Sequence, residues 1–308
     1  MNQLPTPATG GERALAVSAL VLNATTWGLA WWPIRLLREA GLHPLWATSL
    51  VYTVATIGIA LAFRATLRGD LRNARGLGWL LVASGLTNAS FNWAVTLTDV
   101  ARVALLFYLL PVWAALLARW LLKEPLTSAV MVRIGIALAG AAFVFADPHR
   151  MAGPTSWLAD ILAVTAGAAF AVNTVTLRRV AGQSRSAIAI SMFVGAAILP
   201  AAVGLLLGAT GTALPIPASV GPWIWLVLGT AVAYVLGNIA LQYGAARLPA
   251  NTTSLIMLTE VAVAAVSGAL IADELLSWRV LVGGTLIVIA AASSLVSPPR
   301  PARGLAPP

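Results

Sequence analysis

The chain has 308 residues, of which 59% are hydrophobic and only 9% charged, and its mean hydropathy is +0.88. A soluble domain cannot keep so apolar a surface hydrated, so this composition excludes a water-soluble globular protein. The net charge of +9 would suggest a nucleic-acid partner in a soluble chain, but here the basic residues lie between apolar runs and set membrane orientation. The absence of cysteine excludes disulfides and thiolate metal sites.

Ten apolar runs follow one another along the chain, with short linkers between them. A helix needs about 20 apolar residues to cross the hydrocarbon core of a bilayer. Because backbone amides in lipid need internal partners, and the runs are too long and too evenly apolar for barrel strands, each run is predicted to be a helix. The runs cover residues 14–36, 44–63, 76–97, 101–122, 128–146, 157–177, 187–207, 223–241, 250–271 and 279–296.

Basic residues divide unevenly between the two ends of these spans. If the N-terminus is inside, 14 Lys and Arg residues fall on the inner side and 5 on the outer side. The positive-inside rule then places both termini in the cytoplasm. We therefore predict a multi-pass protein of the bacterial inner membrane. The five outer residues are Arg35, Arg38, Arg102, Arg150 and Arg279.

The second half of the chain repeats the first. LPVWAALLARWLLKEPLT (110–127) aligns with EVAVAAVSGALIADELLS (260–277), which places Glu124 on Glu274. Each copy carries five spans, an odd number, so the second copy must cross the membrane in the opposite direction. A gene duplication without moving parts is the alternative interpretation of the repeat.

These observations predict an all-α integral membrane protein. Its ten transmembrane helices would form a 5+5 inverted repeat around a central cavity. The first repeat covers residues 11–147 and the second, inverted repeat covers residues 156–296, within one membrane domain. Inverted repeats of this kind are the construction from which many secondary transporters obtain alternating access.

Two segments resemble a known family. NATTWGLAWWPIR in the first span resembles the opening Trp-Gly helix of the drug/metabolite transporter superfamily, EamA type, and LLPVWAALLARWLLKEPLT resembles the fourth helix of that family. The resemblance covers nearly the whole chain and, more weakly, extends to the aromatic amino acid exporters of the group. It implies a ten-helix exporter of small metabolites. The chain departs from the family where Glu-Pro is common and Glu260-Val261 stands here.

Polar and aromatic side chains inside the spans are the candidates for contact with cargo. Residues three or four apart share one helical face, and a polar face in a membrane helix points toward the bundle or a wet cavity. Interhelical hydrogen bonds and ordinary packing are the alternative roles for each side chain. The predicted substrate-binding residues are Asn23, Trp27, Asn88, Asn92, Trp93, Phe107, Tyr108, Pro111, Asn173, Tyr234, Asn238, Met257 and Glu260.

Two of these candidates have particular roles. An ionised Glu260 at mid-span would cost about 2.5 kcal/mol or more, and no span supplies a Lys or Arg at the same depth to pair with it. Two ways to lower this cost then remain, which are hydration of the carboxyl group by water in a cavity and its protonation. Either one places Glu260 beside the cavity. There it could attract the ammonium of an amino acid or take up a proton. Pro111 is expected to bend the fourth helix and free a carbonyl group.

The sequence therefore predicts a secondary transporter that exports aromatic or other apolar amino acids by alternating access. Its expected partners are a small-molecule substrate and the lipid bilayer, with no nucleic acid, and a monomer is one oligomeric state open to it. We expect no catalytic residue, no cofactor and no metal, since His43 and His149 are too few for a metal site. A lipophilic cation or drug exporter is the alternative within transport. A membrane enzyme or a lipid-handling scaffold is the alternative from another class.

Overall fold

A computed structural model describes residues 10–73, 76–121, 127–145, 156–180, 183–211, 221, 223–245, 247, 256–257, 259–274 and 277–295. Within these ranges all regular structure is α-helical, as predicted. The helices are α1 (Gly10–Gly28), α2 (Trp31–Glu39), α3 (Pro44–Ala62), α4 (Arg64–Asn73), α5 (Gly78–Ala94), α6 (Val100–Phe107), α7 (Leu110–Leu121), α8 (Ser128–Phe145), α9 (Ser156–Arg179), α10 (Arg185–Ala209), α11 (Trp223–Ala245), α12 (Thr259–Ile271) and α13 (Trp278–Leu295).

The outer surfaces of these helices are apolar. Trp120, Trp225 and Leu270 are 75% to 78% exposed, and exposed apolar surface of this kind fits lipid rather than water. Five helical segments have the length and composition to cross a membrane, and shorter apolar helices accompany them. The protein is therefore a multi-pass membrane protein. The five segments are Gly11–Glu39, Pro44–Leu61, Trp157–Leu177, Ser186–Ala209 and Trp223–Leu241.

The first predicted span is interrupted between α1 and α2. Pro33 has no amide hydrogen, so it cannot donate to the carbonyl of Leu29 as a residue inside a helix would. That carbonyl instead accepts from the amide of Trp32 at 3.1 Å, and Ala30 donates to Trp27 in the same tight i−3 pattern. The span is consequently interrupted by one tight turn at Leu29 and Ala30, next to two tryptophans.

The fourth predicted span is also interrupted, which corrects the expectation of a single bent helix. α6 ends at Phe107 and α7 begins at Leu110, so Pro111 lies in the first turn of α7, where a missing amide hydrogen is tolerated. Pro111 leaves the carbonyl of Phe107 without its i+4 donor, as predicted. This oxygen faces α9, because a Cβ added at Gly167 would lie only 2.5 Å from it.

Helices at equivalent places in the two halves run antiparallel. Along α3 and α10, Ser49 donates to the carbonyl of Ala197 at 2.7 Å, and the ring of Tyr52 lies 5.3 Å from that of Phe193. The residue numbers rise on one helix as they fall on the other, so the two helices are antiparallel. Contacts between α8 and α13 show the same order.

The remaining packing brings one end of the bundle together. α1 and α2 run parallel to α12, with Gly28 against Val263 and Trp31 bonded to Ser267 at 2.9 Å. α6 runs parallel to α9 in the same way. The end of α2, the start of α6 and Glu274 after α12 therefore meet. We call this the outer end, because the charge distribution along the sequence predicts that it faces the outside.

Candidate functional site

A small cavity lies where the two helix interruptions meet. Its volume is about 10 Å³, roughly room for one water molecule. The site is therefore closed too tightly here to hold cargo. Its wall combines both interrupted spans with α5 and α12, and its lining residues are Trp27, Gly28, Trp31, Phe91, Val100, Ala104, Phe107, Tyr108, Glu260 and Ala264.

Glu260 contributes a carboxyl group to the wall of this cavity. It is partly buried, and no hydrogen bond or ion pair joins its carboxyl group to any described residue. Close packing of α1 on α12 sets its position, because a Cβ at Gly28 would lie 2.9 Å from the carbonyl oxygen of Glu260. The glycine of the Trp-Gly pair therefore holds Trp27 and Glu260 at the same cavity.

Aromatic rings continue from the cavity into the bundle. The rings of Trp27 and Tyr234 lie 4.7 Å apart, and Tyr234 lies 5.4 Å from Tyr52. The hydroxyl of Tyr52 donates to Asn88 at 2.5 Å. The buried hydroxyl of Tyr234 has no hydrogen-bond partner among the described residues.

Asn23 leaves a second unpaired polar atom close by. Its amide nitrogen donates to the carbonyl of Gly237 at 2.8 Å, while its side-chain oxygen has no partner among the described residues. Gly237 is three residues from Tyr234, so Asn23 contacts α11 about one helical turn from Tyr234. Buried polar atoms are normally paired, and these two are available to a ligand or to water.

Several predicted residues meet around this region. Trp27, Phe107, Tyr108 and Glu260 line the cavity itself. Tyr234 reaches it through its contact with the Trp27 ring. Tyr52 and Phe91 were not among the predicted residues, since aromatic residues in an apolar span give no signal that separates cavity walls from packing.

The other predicted residues lie elsewhere. Asn92 is buried and donates to Thr48 at 3.0 Å, which ties α5 to α3. Met257 packs against the N-terminal half of α1, beside Ala16 and Leu20. Asn238 is partly buried on α11. Asn173 is buried on α9, and its side-chain oxygen has no partner among the described residues.

Trp93 lines a separate pocket of about 170 Å³ at the outer end, together with Arg38 and His43. The ring of His43 meets that of Trp93 edge-on at 5.4 Å. Burial and the positive charge of Arg38 lower the pKa of His43, so its imidazole is neutral at neutral pH. Its Nδ1 accepts from the amide of Leu45 at 3.3 Å and caps α3.

Buried ion pairs hold the outer end together. Arg35 lies 2.8 Å from Glu274, and Arg102 lies 2.7 Å from Asp160. The partners in each pair are far apart in sequence, so spacing along the chain could not pair them. We expected basic residues at span ends to set orientation and Glu274 to cap a helix or form a salt bridge, but the sequence alone did not name its partner.

The fold and the cavity define a multi-pass helical membrane protein with a closed site between interrupted helices. The model of the EamA-like transporter family matches residues 14–146 and again residues 157–296. The chain belongs to this family of membrane transporters for small metabolites, which confirms the predicted drug/metabolite transporter membership.

A solved structure described only as "Crystal structure of protein" is similar over 93% of this chain and 98% of its own. It is 19% identical in sequence with a TM-score of 0.58, so it supports the fold alone. No curated protein matches the chain.

Proposed function

We propose that the protein is a secondary carrier that exports aromatic or other apolar amino acids from the bacterial cytoplasm by alternating access. The observation that carries this proposal is the carboxyl group of Glu260, which has no partner among the described residues and lies in a cavity walled by aromatic rings. A carboxylate attracts the ammonium of an amino acid, and each ring contact adds about 0.5 to 1.5 kcal/mol for an aromatic side chain.

The two helix interruptions support a transport site at this place. Discontinuous helices form the substrate sites of many secondary transporters, because an interrupted span exposes backbone groups at membrane depth. Here the breaks after Gly28 and after Phe107 both border the cavity. Cargo enters only if the surrounding helices move apart, since the cavity holds about one water molecule.

The antiparallel course of equivalent helices supports the inverted repeat. Repeats 11–147 and 156–296 related by a half-turn in the membrane plane require α3 to oppose α10 and α8 to oppose α13. Repeats in the same orientation would make those helices parallel. We infer ten spans, because the described helices then alternate in direction. We place both termini in the cytoplasm, because 14 of the 19 Lys and Arg residues then lie on the inner side.

Exchange transport in liposomes tests the proposal. Purified protein is reconstituted into liposomes loaded with one unlabelled amino acid, and uptake of the labelled form is followed for a panel of amino acids. We expect transient accumulation of aromatic or large apolar amino acids above protein-free liposomes. Failure of every amino acid in the panel to exchange would refute the proposed substrate class.

A lipophilic organic cation is the second candidate substrate, because Glu260, Trp27 and Tyr108 could bind a cation through charge and ring faces. The same liposomes discriminate between the two. If the protein carries amino acids, unlabelled amino acid competes with the labelled form and added cations have no effect. If it carries cations, the liposomes exchange a labelled cation and the amino acids do not exchange. Exchange of neither, combined with lipid movement between leaflets, would indicate a lipid-handling protein.

A further inference from the structure

We propose that Arg35 and Glu274 form the outer gate of the carrier, and that separation of this ion pair opens the cavity to the outside. This inference rests on the proposed alternating access. It assigns to two particular residues the contact that must break during each transport cycle.

The pair joins the two halves of the chain through several bonds at once. Arg35 Nη1 lies 2.8 Å from Glu274. Its Nε and Nη2 donate to the carbonyls of Val95 and Thr98, each at 2.7 Å. Glu274 in turn accepts from the amide of Val100 at 3.0 and 3.1 Å through its two oxygens. One ion pair therefore ties α2, the turn before α6, the start of α6 and the chain after α12.

The gate is largely shielded from water. The side chain of Glu274 is 4% exposed and that of Arg35 is 21% exposed, so solvent screens their attraction only weakly. The chain makes room for the carboxylate at Gly268, where a Cβ would lie 2.7 Å from Glu274 Oε2. A buried carboxylate with a charged partner and amide donors is stable only while all of them stay in place.

The gate closes directly over the cavity. Val100, whose amide Glu274 binds, is itself a cavity-lining residue. Trp31 also lines the cavity, and the guanidinium of Arg35 lies 4.9 Å above its ring. Trp31 adds another bond between the halves by donating to Ser267. Separation of Arg35 from Glu274 therefore releases Trp31 and Val100, the cavity walls that cover Glu260 from outside.

The repeat carries the same residue types at the equivalent places. The two family matches begin at residues 14 and 157, and this offset of 143 places Trp27 on Phe170 and Arg35 on Arg178. Glu124, which lies outside the described residues, aligns with Glu274. Because both residue types of the ion pair recur, we infer a function that the two halves share. An ion pair that only fixed a loop would be needed at one end only.

Cysteine labelling tests access to the cavity, and the natural chain contributes no background because it has no cysteine. Ala264 lines the cavity and is 5% exposed, so Ala264→Cys reports its opening. A membrane-impermeant thiol reagent is added to intact cells, and labelling rates are compared with and without Arg35→Lys. Lysine keeps the charge but cannot hold Glu274 and two carbonyls together.

We expect Arg35→Lys to raise the labelling rate about ten-fold or more, the size expected when charged hydrogen bonds are lost. Arg279→Lys is the matched control, since Arg279 also lies at the outer end and contacts the ring of its neighbour Trp278. The control should label at the parental rate. Equal labelling rates in Ala264→Cys alone, with Arg35→Lys and with Arg279→Lys would contradict the proposed gate.

A second experiment keeps the gate testable if Arg35→Lys disturbs folding. Arg35→Cys and Glu274→Cys are combined and joined with a short, reducible bifunctional thiol reagent in liposomes. Cross-linking should abolish exchange, and reduction should restore it to the rate before cross-linking. Exchange at an undiminished rate in the cross-linked protein would contradict the gate. Because uncross-linked protein must exchange in the same assay, failure of the gate is distinguished from failure of the carrier proposal.

Discussion

The closest approach at any described glycine predicts a large effect of one methyl group. A Cβ at Gly195 on α10 would lie 1.9 Å from the carbonyl oxygen of Leu81 on α5, and a Cβ at Gly85 would lie 2.5 Å from the carbonyl oxygen of Gly195. Ordinary contact begins near 3.4 Å, so Gly195→Ala forces α5 and α10 apart by about 1.5 Å. Overpacking of this kind costs about 1 to 3 kcal/mol, and we expect the upper end because both atoms belong to backbone.

The assay is reversible unfolding in mixed micelles, followed by tryptophan fluorescence. Gly208→Ala on the same helix is the matched control, since no described atom lies within 4 Å of a Cβ there. Alanine's higher helix propensity should leave this control unchanged or stabilise it by up to about 1 kcal/mol. If Gly195→Ala unfolds at the same denaturant concentration as Gly208→Ala, the close approach of α5 and α10 is wrong.

Two further substitutions separate the cavity from the rest of the bundle. Trp27→Ala should slow exchange at least several-fold because it removes the ring that contacts Tyr234 and a wall of the cavity. Trp120→Ala should exchange normally, since Trp120 is 76% exposed. Arg102→Gln should lower the free energy of unfolding by about 3 kcal/mol, because it leaves Asp160 unpaired in a partly buried place. Arg102→Met combined with Asp160→Leu should recover most of that loss in the same unfolding assay.

Span positions were the most predictable feature, because the thickness of the bilayer fixes helix length. The predicted runs 44–63 and 128–146 correspond to Pro44–Ala62 and Ser128–Phe145. Hydropathy did not predict α4, Arg64–Asn73, because this helix is polar. It is held instead by a tertiary contact, since its Leu67 packs against the core.

Contacts between distant parts of the chain account for what the sequence did not reveal. Glu260 could be identified from the sequence because a carboxyl group is rare at membrane depth. The ion pair of Arg35 with Glu274 could not, since each residue alone is typical of a span end. Likewise, the prolines indicated that hydrogen bonds are lost in two spans. Only the packing of α1 and α6 against α12 shows that both interruptions border one cavity.

The most direct test of the carrier account is the exchange rate of Glu260→Gln as a function of pH. Glutamine keeps the shape and hydrogen-bonding capacity of the side chain but carries no charge and takes up no proton. The account predicts slower exchange and a flattened profile between about pH 5 and 8, with the variant folded and inserted as well as the parent. Exchange at the parental rate with an unchanged pH profile would show that the carboxyl group is structural, and the proposed role of the cavity would fail.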